Sequence, residues 1–84
     1  MPATMADIHR ILESPDWSRS EKWIVRWQFK LLGDFETALS QAISRADENN
    51  LARLELGFPE QVEGYANWAY GTLGERLRAA GLNV

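Results

Sequence analysis

The chain contains no cysteine and only one histidine, His9. Disulfides and thiolate metal sites are therefore excluded, and a lone imidazole leaves too few ligands for an ordinary zinc set. No apolar run approaches the ~20 residues that a membrane-spanning helix needs. The opening segment, MPATMADIHR, lacks the apolar core of a signal peptide, so a cytoplasmic location is expected. Net charge is scarce too: 9 basic against 12 acidic residues give −3, too mild for an overall mimic of DNA. There is no internal repeat and no low-complexity linker.

What is there fits one small domain spanning residues 1–84. A chain this short buries only ~60% of its unfolded surface, and small scaffolds usually add disulfides, a metal or self-association. With the first two excluded, self-association is the remaining staple. Hydrophobic residues make up 45% of the chain and there are four tryptophans, a high number for this length. Large aromatic side chains carry much of the energy at protein interfaces.

The pattern is all-α. Met5, Ile8, Ile11 and Leu12 share one face of a short first helix, which Thr4 and Asp7 can cap and Ser14-Pro15 ends. Ser18 and Glu21 form a second capping box. From there Ile24, Trp27, Leu31, Phe35, Ala38, Leu39, Ala42, Ile43 and Ala46 make one apolar stripe at helical spacing. The stripe passes Gly33-Asp34 without losing phase, which predicts one long helix, bent or straight, from Ser18 to Glu48. After Glu48 the phase shifts, which predicts either a kink near Asn49-Asn50 or a helix that turns a new face toward a new neighbour. Gly57-Phe58-Pro59 reads as a turn with Pro59 opening the next helix. Val62, Ala66, Ala69, Tyr70, Leu73, Leu77 and Ala80 then form a C-terminal helix folded back as a helical hairpin. Thr72 with Glu75 offers a capping box within it, and Gly81-Leu82 a glycine stop. A helix of about thirty residues is a rod of roughly 45 Å, against a radius of gyration near ~12 Å for a compact domain of this length. Such a rod is not covered by one copy, so a homo-oligomer is expected.

Charge is unevenly spread. Arg19, Lys22, Arg26 and Lys30 face only Glu21 within residues 19–30, whereas residues 31–63 set Arg45 and Arg53 against seven carboxylates. Trp23 and Trp27 lie beside the cations. That pairing points to an anionic, nucleotide-like ligand, with Arg19, Lys22 and Arg26 on phosphate and Trp23 or Trp27 stacked on a base. Asn50 and Arg53 are candidates for reading its polar edge. The competing reading has Trp27 in the core, Trp23 partly buried, the cations on a solvated face and the asparagines as caps. Trp68, with Gly64 and Gly71 beside it, is a candidate subunit contact, together with Leu31 and Phe35; the alternative folds the Trp68 ring onto the chain's own second helix. His9 and Glu13 stand four residues apart but lack a third ligand or a nucleophile. No nucleophile–base–orienter set and no glycine-rich phosphate loop is present, so neither catalysis nor a cofactor is expected.

Residues 35–62 carry a further pattern. Phe35, Ala38-Leu39, Ala42-Ile43, Ala46-Asp47, Asn50-Leu51, Leu54, Gly57-Phe58-Pro59-Glu60 and Val62 together resemble small accessory proteins of phages and prophages. The match covers about a third of the chain and transfers no activity and no functional residues. It implies a phage accessory gene acting in the host cytoplasm. By analogy of size and style, some phage proteins of this kind are helical oligomers that trap nucleotide immune signals between subunits.

The leading expectation is thus a counter-defence protein that sequesters an anionic nucleotide-like signal without catalysis. The alternative is a small protein-binding inhibitor of a host defence enzyme. Nucleic acid is disfavoured by the net acidity, and a membrane surface by the need of the apolar stripe for folding.

Overall fold

Helix ends decide this fold. In a computed structural model, which describes residues 4–84, the chain forms six α-helices and, among the described residues, no strand. The first three residues of the MPATMADIHR segment lie outside the described residues. Helix α1 (Met5–Glu13) starts with the expected box: the Thr4 hydroxyl accepts the Asp7 N–H, and the Asp7 carboxylate accepts the Thr4 N–H at 3.1 Å. Helix α2 (Arg19–Gln28) starts the same way, with the Ser18 N–H donating to Glu21 at 2.8 Å.

The single long helix expected from Ser18 to Glu48 is not formed. It is three helices: α2, α3 (Asp34–Arg45) and α4 (Glu48–Gly57). The first break is a Schellman stop. The Leu31 N–H bonds the Arg26 carbonyl at 2.7 Å and the Lys30 N–H bonds the Trp27 carbonyl at 3.1 Å, with Lys30 left-handed at φ 58°. Gly33 is not interior to a helix but is the extended residue preceding α3. The second break falls at Ala46-Asp47, not at Asn49-Asn50. Asp47 caps α4 by accepting the Asn50 N–H at 2.8 Å, so both asparagines sit in its first turn.

The C-terminal half agrees better. Pro59 opens α5 (Pro59–Ala69), and the chain breaks again at Tyr70–Thr72 before α6 (Leu73–Ala79). Thr72 sits at the start of α6 without a side-chain capping bond. Gly81, at φ 101°, ends α6 in the anticipated motif: the Leu82 N–H bonds the Leu77 carbonyl at 3.0 Å while both leucines enter the core.

Helix α5 is the hub, packing against α2 most extensively and also against α3, α4 and α6, while α1 packs on α2. The core joins Ile8 and Ile11 of α1, Trp23, Ile24 and Val25 of α2, Leu39 and Ile43 of α3, Val62 of α5, and Leu73, Leu77 and Leu82. Helix α4 contributes no buried residue; Leu51 and Leu54 only flank the core. The result measures 38 × 26 × 23 Å with a radius of gyration of 12.8 Å, so the 45 Å rod is not formed and its length no longer argues for a homo-oligomer.

Candidate functional site

The residues expected to bind one ligand are divided among three clefts that share no lining residue. Arg19, Lys22, Trp23 and Arg26 line the first, a space of about 400 Å³ closed by Leu12, Glu36, Glu60 and Gln61. Trp27 lines the second, under the α2–α3 connection with Lys30 and Leu32. Asn50 and Arg53 line the third, of about 430 Å³, between α3 and α4.

The first cleft is less basic than its sequence. Helix α2 does set Arg19, Lys22 and Arg26 along one edge at helical spacing. However, Glu60 of α5 pairs with Arg19 at 3.2 Å, and Glu36 of α3 adds a second carboxylate. Trp23 is 4% exposed and belongs to the core, so its faces are not open to a base. Its indole N–H is buried without a partner. Trp23 instead contacts Trp27, ring centres 5.6 Å apart, and Trp27 passes the contact to Tyr65 at 6.0 Å.

Two of the expected subunit contacts serve the fold. Gly64 is buried against α2: a β-carbon there would stand 2.5 Å from the Ser20 carbonyl oxygen. The small residue permits a close helix approach, as expected, but within the chain. Trp68 is half-buried, and a β-carbon on Gly74 of α6 would lie 3.5 Å from its ring, so the contact the indole makes is with α6 and not the one expected with the second helix. Gly71 is exposed, in the turn after α5. Leu31 and Phe35, by contrast, remain at the surface, 42% and 67% exposed.

Phe35 heads an exposed apolar edge of α3. Helix α3 buries Leu39, Ser40 and Ile43, with the Ser40 hydroxyl satisfied by the Thr37 carbonyl at 2.7 Å. At about 100° per residue, that buried face is roughly a quarter turn from the edge carrying Phe35, Ala38, Ala42 and Ala46. Consequently Phe35, Ala38 and Ala42 are exposed and Ala46 half-buried. Helix α4 and the turn after it form the facing wall. Phe58 meets Phe35 at 6.0 Å between ring centres, and Leu54 and Asn50 lie across from Ala42 and Ala46. Helices α3 and α4 lean on α5 and touch each other little, leaving a shallow trough. Arg45 and Arg53 stand at its far end. The ion pairs among the described residues are Arg10–Asp7, Arg19–Glu60 and Arg76–Glu21, so neither of these arginines has a carboxylate partner.

Arg45, Ala42 and Leu54 were not among the sequence candidates. Their grouping depends on the break at Ala46-Asp47, which brings α4 back beside α3. The signal was the Asp47 side chain three residues before Asn50, a capping spacing just past the last residue of the stripe, Ala46.

His9 and Glu13 are exposed on α1, and no group of three His, Asp or Glu side chains among the described residues is placed to hold a metal. Among the described residues, no helix is long and apolar enough to cross a membrane. No family model, no curated protein and no solved structure matches the chain.

Proposed function

We propose that the chain acts by binding a protein, without chemistry of its own, and that the α3 edge headed by Phe35 is the contact surface. The observation that carries this reading is the contiguity of the uncovered edge. Single exposed apolar residues are ordinary on any protein. A phenylalanine two-thirds exposed, followed along one helix edge by exposed Ala38 and Ala42 and flanked by Phe58, is a patch, and patches mark interaction sites. The same edge carries much of the resemblance to phage accessory proteins. On that resemblance the partner is a host protein, and the effect is inhibition of a defence enzyme by occupation of its surface.

The test is affinity capture from bacterial lysate with the wild-type chain and with Phe35→Ser, followed by native mass spectrometry of the captured complex. A stoichiometric partner lost with Phe35→Ser is expected. Equal capture by both chains, or no stoichiometric complex, would sink the reading. A complex of the chain with itself alone would identify the partner as a second copy.

A second reading retains the anionic ligand. It is favoured by one observation: Arg19, Lys22 and Arg26 do converge on a single cleft. Burial of Trp23 and the position of Trp27 in a separate cleft remove the base platform, and Glu36 and Glu60 lower the attraction for phosphate, so this reading ranks below the first. Calorimetry against cyclic and linear nucleotides decides it; silence across the panel eliminates sequestration.

A further inference from the structure

We propose that the trough between α3 and α4 takes an acidic amphipathic helix of the protein partner, with apolar side chains against Ala42, Ala46 and Leu54 and carboxylates on Arg45 and Arg53. This deepens the protein-binding reading and rests on it.

Three properties of the trough select that occupant. The first is shape. Alanine on one wall lets a third helix approach toward the close end of the usual 8–10 Å interaxial range. From Phe35 to Ala46 the edge runs about 16 Å, three helical turns, the reach of a ligand helix with anchors at i, i+4, i+7 and i+11.

The second is charge. Arg45 and Arg53 flank an apolar floor at one end and have no carboxylate partner, although Asp47 and Glu48 lie close in sequence. Asp47 is engaged instead with the Asn50 N–H at the start of α4. Two uncommitted guanidiniums beside an apolar groove complement carboxylates beside an apolar side chain.

The third is coverage. Helix α4 buries none of its residues, so the trough wall it supplies has no second layer above it. A flat base has no aromatic ring to stack on at the arginine end, where the lining is alanine, leucine and asparagine. An extended strand finds no free sheet edge, because the described residues form only helices. A helix is the element whose polar backbone is already satisfied and whose apolar face needs cover.

The experiment is selection from a random peptide library of roughly four helical turns per member, panned on the full chain and counter-screened on the double variant Arg45→Glu/Arg53→Glu. Both arginines are exposed, and far-ultraviolet circular dichroism confirms that the variant folds. The expected pool is enriched in peptides with apolar residues at helical spacing and carboxylates at one end. Their affinity falls at least tenfold on the double variant and weakens with added salt. A pool without acidic bias, a pool that binds both proteins equally, or no enrichment at all overturns the proposal. Phe35→Ser separates the two levels of the argument. Peptides lost with Phe35→Ser but indifferent to the arginines leave the protein-binding surface standing and remove the acidic partner. Peptides indifferent to both remove the surface as well.

Discussion

Gly64 of α5 meets Ser20 of α2 backbone to backbone: a β-carbon on Gly64 would lie 2.5 Å from the Ser20 carbonyl oxygen and 3.1 Å from the Ile24 side chain. This contact sits in the largest helix pairing of the fold. A carbonyl held in a helix cannot swing aside as the tip of a long side chain can. Gly64→Ala must therefore push α2 and α5 apart, and overpacking of this kind costs about 1–3 kcal/mol. The better helix propensity of alanine returns only about 1 kcal/mol. The net expectation is destabilisation, read as a lower midpoint in thermal or denaturant unfolding. Gly57→Ala is the matched control. Gly57 ends α4 with nothing within 4 Å of a new β-carbon, so the same substitution should be neutral or stabilising. Equal effects at the two sites would contradict the close approach.

Lys30 ends α2 in the position that glycine usually fills. Its φ of 58° costs a residue with a β-carbon roughly 1–2 kcal/mol. Lys30→Gly removes that strain and loses part of the gain to the greater freedom of glycine in the unfolded chain, about 0.5–1 kcal/mol. A net gain of several tenths to about 1 kcal/mol is expected, an increase of some 2–8 °C in melting temperature for a domain of this size. Lys30→Val, which adds a branched β-carbon, should move the other way. A lower melting temperature for Lys30→Gly would mean that the stop at Phe29–Leu31 does not persist in solution.

The same residue explains why the fold was only partly legible in the sequence. The caps at Thr4 and Ser18, the proline opening α5 and the glycine closing α6 carry their chemistry in the residue type, and each was readable. The stop at Lys30 does not, because a left-handed lysine is indistinguishable from a helical one in a stripe that keeps its phase through Phe35. A stripe read as continuous gives the rod, and with the rod goes the argument from length for an oligomer. The uncovered edge at Phe35, Ala38 and Ala42 survives the loss of the rod for a different reason. Helix α3 rolls Leu39 and Ile43 inward, and the alanine edge faces out.

Trp23 shows the corresponding limit for the site. Its place beside Lys22 and Arg26 suggested a ring open to a ligand, yet the indole is 4% exposed and its N–H has no partner. An unsatisfied buried donor costs about 1–3 kcal/mol. Trp23→Phe removes that donor while keeping most of the apolar bulk, so the two effects should nearly cancel, within about 1.5 kcal/mol. Trp23→Ala leaves a cavity and should cost about 3–5 kcal/mol, a large share of the stability of any domain this small. Chemical denaturation of the two variants measures both. A Trp23→Phe chain as unstable as Trp23→Ala would show that the indole N–H has a partner that matters.

Glu21 ties the start of α2 to α6, accepting the Ser18 N–H at 2.8 Å and pairing with Arg76, whose guanidinium lies 5.0 Å from the centre of the Trp17 ring. Burial raises the Glu21 pKa, but the Ser18 N–H and the Arg76 guanidinium together outweigh it and hold the carboxyl below its ordinary value of 4.5. A carboxyl whose folded pKa lies below its unfolded one stabilises the fold fully above the unfolded value, and the stabilisation is lost as the pH falls through the folded value. Glu21→Gln retains an acceptor for Ser18 but cannot pair with the charge of Arg76. The wild type should therefore be the more stable at neutral pH, and the difference between the two should shrink steadily below a pH of about 4.5. Asp7, held low by its hydrogen bonds to Thr4, acts in the same acid range in both chains and cancels from the comparison. Denaturant titrations at a series of pH values give the difference directly. One that stays constant from neutral pH into strong acid would show that the Glu21–Arg76 pair contributes nothing through its charge.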